Sequence, residues 1–189
     1  MKMKTYGTLS QNTLKNKKSM GKIEILAMEK EEKMMDEIKN IIFVCNNGNC
    51  RSQIAAGIFN KKAAQMNLDI RALSRGIVVL FEEPLNQKAE AVMLANGIDT
   101  SGLKSQQLKN EEFSKDVLVL VMERKQKEVI LSDYDNAQNV FVFSEYNGKS
   151  GDIVQPYGKT LTVYDNCYKM IQEQIDCLLE KWRTDNARN

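Results

Sequence analysis

Asn40-Ile41-Ile42-Phe43-Val44-Cys45-Asn46-Asn47-Gly48-Asn49-Cys50-Arg51-Ser52-Gln53-Ile54-Ala55-Ala56-Gly57-Ile58-Phe59 is the stretch that decides the fold. It opens with a short apolar run, the mark of a buried strand. It closes with Ile54, Ile58 and Phe59 at helical spacing on one face. Between them lies a small polar loop that begins at Cys45 and ends at Arg51-Ser52. A strand that passes through such a loop into a helix N-terminus makes an anion cradle. Its backbone N–H groups converge, and the helix dipole adds partial positive charge. Asn46, Asn47, Gly48, Asn49, Cys50 and Arg51 supply that cradle, and the Arg51 fork suits a phosphate. Cys45 at its floor is a nucleophile whose thiolate the positive field favours, which points to phosphoryl transfer to sulfur. The plain alternative is a buried strand-end cysteine with an unrelated surface arginine. The strand before and the helix after argue against it.

The rest of the composition narrows the chemistry. The 189 residues carry a net charge of +2, with 42% hydrophobic and 28% charged side chains. That balance gives no case for a nucleic-acid partner. No stretch reads as a secretory signal or a membrane span, so a cytoplasmic protein with reduced thiols is expected. The chain has no histidine. Ser-His-Asp and Cys-His catalysis are therefore excluded, and any acid or base must be a carboxylate, Tyr, Cys or Lys. Cys45, Cys50, Cys167 and Cys177 form no zinc pattern. No metal and no cofactor is expected.

Outward from the loop, strands and helices alternate, which predicts a single doubly wound α/β domain. Its four-stranded parallel sheet should have the order 2-1-3-4, with helices on both faces. The predicted strands are Ile41–Val44, Ile70–Ser74, Val117–Met122 and Val140–Phe143. Predicted helices run from Ser52 to about Met66, from Pro84 to Asn96, over Arg124–Leu131, and from about Thr160 to Trp182. The last has Tyr164, Tyr168, Ile171, Ile175, Leu178 and Trp182 on one face. Residues 1–37 read as a solvated tail or short charged helix, because six lysines and no acid fall before Ile23. Residues 38–184 form the domain and 185–189 a C-terminal tail. Ligands of open parallel sheets bind at the carboxyl ends of the strands, where Cys45, Ser74 and Glu123 lie.

On five motifs in chain order the sequence resembles the low-molecular-weight protein tyrosine phosphatases, whose fold the arsenate reductases share. They are Val44-Cys45-x5-Arg51-Ser52; Ser74-Arg75-Gly76; Gly97-Ile98-Asp99 with Ser101-Gly102 and Ser105-Gln106-Gln107-Leu108; Val121-Met122-Glu123; and Gln155-Pro156-Tyr157-Gly158. The resemblance implies that Cys45 is the nucleophile that becomes a phosphocysteine. It makes Arg51 the clamp on the phosphate oxygens and Ser52 the donor to the cysteine sulfur. Ser74 and Glu123 become braces of the loop and of Arg51. Leu80, Phe81 and Tyr157 become walls around the substrate, and Cys45 and Cys50 a redox pair. The implied substrate is a phosphotyrosine protein or small aryl phosphate, with phosphate or vanadate as site ligands.

Three residues depart from the family pattern. Gly48 stands where the family has an asparagine in left-handed geometry, and that asparagine's bond to Ser74 is expected to be lost. Gln53 replaces a usual proline. Gln155 replaces the acid aspartate, and an amide cannot protonate a leaving phenolate. Asp152 is the nearest substitute. Two other functions compete. A phosphate- or phosphopeptide-binding module without catalysis would explain Gln155. An arsenate reductase would need relay cysteines after the third strand, and none lies between Arg51 and Cys167.

Overall fold

The computed structural model describes residues 37–186, with side chains through Trp182. The expected N-terminal tail lies outside the described residues apart from Glu37. From Ile38 onward the chain forms one compact unit. Its elements are β1 (Asn40–Cys45), α1 (Arg51–Gln65), β2 (Arg71–Gly76), α2 (Gln87–Ala95), β3 (Val117–Val121), α3 (Arg124–Asp133), β4 (Val140–Val142), α4 (Phe143–Tyr146) and α5 (Leu161–Asn186).

The sheet has the order β2-β1-β3-β4, and every pair is parallel. This is the expected sheet, and the reason lies in the strands. Parallel strands are covered on both faces, so they read as unbroken apolar runs. All five residues of β3 are buried. Alternation sends Ile42, Val44, Val119, Val121, Val140 and Val142 into one core layer with Leu108, Phe113 and Ile130 of α3. Phe43 takes the other face, where its ring meets Phe59 of α1 at 6.2 Å and Phe143 at 5.2 Å. Trp182 of α5 closes that layer against Phe59 at 6.1 Å.

Several boundaries differ from expectation. The second helix begins at Gln87, not at Pro84. The Asn86 side chain accepts from the N–H groups of Lys88 and Ala89 at 3.1 and 3.3 Å, capping the helix there. Pro84 instead sits in an antiparallel bridge with Lys104. Strand β2 runs from Arg71 to Gly76, so Ser74 lies within it and not at its end. Strand β4 stops at Val142, because Phe143 already starts a short helix. The last helix continues to Asn186, past the expected start of the C-terminal tail. No helix among the described residues is long and apolar enough to cross a membrane.

The expected inward face of α5 is buried, with Ile171, Ile175 and Leu178 fully enclosed. Ile175→Ala should therefore cost about 2–5 kcal/mol. Urea unfolding checks it: the midpoint should fall with the m-value unchanged. An unaltered midpoint would contradict this packing.

Candidate active site

The loop between β1 and α1 is held from outside through its carbonyls. Cys45 C=O accepts from Ile77 N–H at 3.1 Å, and Asn46 C=O from Val78 N–H at 3.0 Å. Gly48 C=O accepts from Gln53 Nε2 at 3.1 Å, and Asn49 C=O from Asn86 N–H at 2.9 Å. In a trans peptide the C=O and the following N–H point opposite ways. Carbonyls turned outward therefore send the N–H groups of Asn46, Asn47, Asn49 and Cys50 into the loop. Among the described residues no acceptor takes the N–H of any residue from Asn46 to Arg51. The four inward donors, at the N-terminus of a 15-residue helix, make an anion-binding concavity.

Two glycines let the loop close. Gly48 has φ +67°. A Cβ there would lie 2.7 Å from Gly76 N, and one on Gly76 would lie 2.6 Å from Asn47 C. The two backbones touch, so neither position admits a side chain. Gly76 is fixed in turn by Gln106 C=O and Leu108 N–H, at 2.8 and 2.9 Å.

Around this loop the strand ends bring the expected residues together. Cys45 is buried, and its Sγ lies 3.0 Å from Ser52 Oγ. Ser52 Oγ bonds in turn to Ser74 Oγ at 2.8 Å. Ser74 Oγ also lies 3.5 Å from Gly48 C=O, so the serine still meets the loop, through its backbone, where the family asparagine is missing. Arg51 is 0% exposed. Its Nη1 donates to the Glu123 carboxylate and to Ile153 C=O, the latter at 2.7 Å. Its Nη2 donates to Gln155 Oε1 at 3.1 Å. Its Nε is buried with no hydrogen-bond partner.

Gln155 thus faces the arginine, whereas Asp152 does not join them. The Asp152 carboxylate accepts from Arg124 N–H at 3.0 Å, at the start of α3. Gln53 is buried and uses its amide to clasp Gly48 C=O and Lys104 C=O, the latter at 3.0 Å. Leu80, Phe81 and Tyr157 are largely exposed. Two cavities beside the loop divide them. Leu80 and Phe81 line a cavity of about 190 Å³ with Asn47 and Glu83. Tyr157 lines another of about 150 Å³ with Gln155, Asn49, Cys50 and the same Asn47 and Glu83.

All four cysteines are free. Burial, with the Cys45 and Cys167 sulfurs nearby and Arg51 opposing, pushes the Cys50 thiol up to about 12. Burial pushes Cys167 up to about 11. Both are neutral thiols at neutral pH, so neither competes as a nucleophile there.

Sequence reasoning missed two bracing groups and one rim group. Gln126 is buried. Its Oε1 accepts from the N–H groups of Met122 and Glu123 at 2.9 and 3.0 Å, and its Nε2 donates to Asn46 Oδ1 at 2.7 Å. Ile153 serves Arg51 through its backbone, which leaves no trace in side-chain type. Glu83 lies beside the predicted wall, and the Glu82-Glu83 pair before Pro84 was its only signal.

Comparison with known proteins agrees with this geometry. The family model described as low molecular weight phosphotyrosine protein phosphatase matches residues 40–188. The chain is 33% identical over 146 residues to a probable low molecular weight protein-tyrosine-phosphatase, EpsP, of Ralstonia nicotianae, covering 77% of this chain and 97% of that one. It is 29% identical to a protein-arginine-phosphatase of Geobacillus stearothermophilus, again covering 77% and 97%. Among solved structures, a low molecular weight protein tyrosine phosphatase from T. tengcongensis superposes with a TM-score of 0.72 at 34% identity, covering 76% of this chain and 99% of that one.

The loop geometry makes Gly48→Ala a direct probe. A non-glycine residue at this φ costs roughly 1–3 kcal/mol, and its Cβ must push Gly76 away. Vanadate affinity should fall by about tenfold or more, a loss of roughly 1.4 kcal/mol per tenfold. Titration calorimetry on the folded variant checks it. Unchanged affinity would contradict the close approach of the two backbones.

Proposed function

The chain belongs to the low-molecular-weight phosphotyrosine protein phosphatase family, and on that premise we propose that it dephosphorylates proteins through a cysteinyl-phosphate on Cys45. Phosphatase activity is common to the named relatives, among them both tyrosine and arginine phosphatases. The cytoplasm suits an enzyme whose nucleophile is a free thiol.

The observation that carries the mechanism is the buried Arg51 guanidinium with an unpartnered Nε beside the inward loop amides of Asn46, Asn47, Asn49 and Cys50. In the first step the Cys45 thiolate attacks phosphorus. An S–P bond forms, and the bond from phosphorus to the leaving group breaks. Arg51 Nε and Nη2 and the loop N–H groups hold the equatorial oxygens, where negative charge spreads in the transition state. In the second step water attacks phosphorus and the thiolate leaves. Ser52, held by Ser74, donates to the departing sulfur and lowers its basicity. When a peroxide oxidises Cys45 to a sulfenic acid, Cys50 attacks that sulfur, an S–S bond forms, and the sulfenic oxygen leaves as water with the proton that burial holds on Cys50.

Gln155 supplies no proton to the leaving group. Its Oε1 is an acceptor from Arg51, and neither form of an amide acts as acid or base near neutral pH. Asp152 stabilises the start of α3 through Arg124 N–H and the helix dipole. The rate then depends on how well the leaving group departs unprotonated, so activated aryl phosphates react faster than phosphotyrosine.

Leaving-group variants test this account. Gln155→Asp should raise phosphotyrosine turnover by about 10-fold or more, within the range for a positioned general acid. It should help activated aryl phosphates far less. Asp152→Asn should change neither rate strongly. Loss of turnover in Asp152→Asn, with no gain in Gln155→Asp, would assign the acid to Asp152 instead.

A further inference from the structure

Glu83 stands where three cavities beside the phosphate loop meet. It lines the Leu80–Phe81 cavity, the Gln155–Tyr157 cavity, and a third of about 580 Å³ that includes Pro84, Lys88 and Tyr157. Its backbone is fixed at both polar atoms. Glu83 N–H donates to Ser105 Oγ at 2.8 Å, and Glu83 C=O accepts from Ser105 N–H at 2.8 Å. Ser105 itself is fully buried. One carboxylate oxygen accepts from Asn49 Nδ2 at 2.7 Å. Asn49 is a member of the phosphate loop, so the carboxylate belongs to the rim of the anion site and not to a free surface turn.

Among the described residues no Lys or Arg pairs with that carboxylate. Glu82 pairs with Lys104 at 3.5 Å, Glu112 with Arg75 at 2.7 Å, and Glu123 and Glu145 with Arg51 and Arg124. Among the described residues Glu83 makes no ion pair. Lys88 lines the third cavity, but its ammonium donates to Lys159 C=O at 2.5 Å and stands 5.8 Å from the Tyr164 ring centroid. A fixed negative charge at the rim repels an arriving phosphate dianion unless a cation arrives with it.

We propose that Glu83 is a specificity-determining residue that selects substrates with a positive charge beside the phosphoryl group. This rests on the phosphatase reading of the same site. The carboxylate oxygen that Asn49 leaves open accepts N–H donors from a guanidinium or ammonium. That cation comes either from the phosphorylated residue itself, as in a phosphorylated guanidino group, or from a Lys or Arg flanking it in the protein. Substrates with acidic neighbours are disfavoured by the same charge.

The test compares kcat/KM for four peptides: phosphotyrosine flanked by Arg, by Ala or by Glu, and a phosphoarginine peptide. Each is measured with the natural chain and with Glu83→Gln, which keeps an acceptor for Asn49 but removes the charge. The natural chain should prefer the Arg-flanked over the Glu-flanked peptide by about fivefold or more, mostly in KM, with the preference shrinking at high salt. In Glu83→Gln that ratio should fall to about one. A phosphoarginine rate above that of the Arg-flanked peptide places the selected cation on the phosphorylated residue, and the reverse order places it on a neighbour. An equal preference in the natural chain and the variant, or none in the natural chain, overturns the role of Glu83 alone. Absence of turnover even on p-nitrophenyl phosphate overturns the phosphatase reading and this inference with it.

Discussion

Arg51 holds a full charge at zero exposure, and the rest of the site is arranged around making that tolerable. An isolated buried guanidinium would be prohibitive. Paired and hydrogen-bonded, it is stable, and removing one partner of such a pair typically costs about 3–5 kcal/mol. The partners come from distant parts of the chain. Glu123 follows β3, Ile153 lends its carbonyl from the segment after α4, and Gln155 lies two residues beyond. The parallel sheet is what makes this meeting possible, because it delivers several strand ends to one edge. Nη1 is anchored twice and Nη2 once, which leaves Nε and the second Nη2 hydrogen for an anion. The anchoring fixes the fork before a ligand arrives, so binding costs little reorganisation.

The loop obeys the same logic in its backbone. Each outward carbonyl is claimed by a specific donor, and each claim turns an amide inward. The donors come from the residues just after β2, from α1 and from the N-cap of α2, so three elements set the shape of one short loop. Gln53 shows how a departure from the family pattern is absorbed. Its side chain sits at the third position of α1 and reaches back to Gly48 C=O, tying the helix to the loop it follows. Gly48 itself forgoes a side-chain bond, and Ser74 approaches its carbonyl instead while holding Ser52. Ser52 is thereby oriented toward Cys45 by a chain of hydroxyls that needs no histidine.

The sheet order and the loop were legible in the sequence because each depends on local pattern, whereas the pairing of Arg51 with Glu123, 72 residues apart, was implied only by the family resemblance. A short apolar run such as Val117–Val121, rich in β-branched residues, suits a strand covered on both faces, and Cys45 to Ser52 carries its geometry in residue types and spacing. What escaped was non-local or carried by the backbone. Asn86, not Pro84, starts α2, since capping depends on which side chain reaches the free amides. Ser74 lies inside β2 because pairing with β1 continues to Gly76. Gln126 looks like any polar residue in the first turn of a helix, yet it joins Glu123 to Asn46. Glu83 looks like a surface acid, and only its bonds to Ser105 and Asn49 reveal it as part of the rim.

The geometry around Gln155 gives the account its sharpest consequence. A site that binds the phosphoryl group fully but carries the amide of Gln155 in place of an acid carboxylate should take phosphate onto sulfur faster than it gives it to water. Rapid quenching of the protein with an activated aryl phosphate, followed by mass spectrometry of its peptides, measures this directly. The account predicts a phosphoryl adduct on the peptide that contains Cys45, together with a burst of phenol before steady turnover. Turnover with no adduct at Cys45, or an adduct on a different residue, would contradict it.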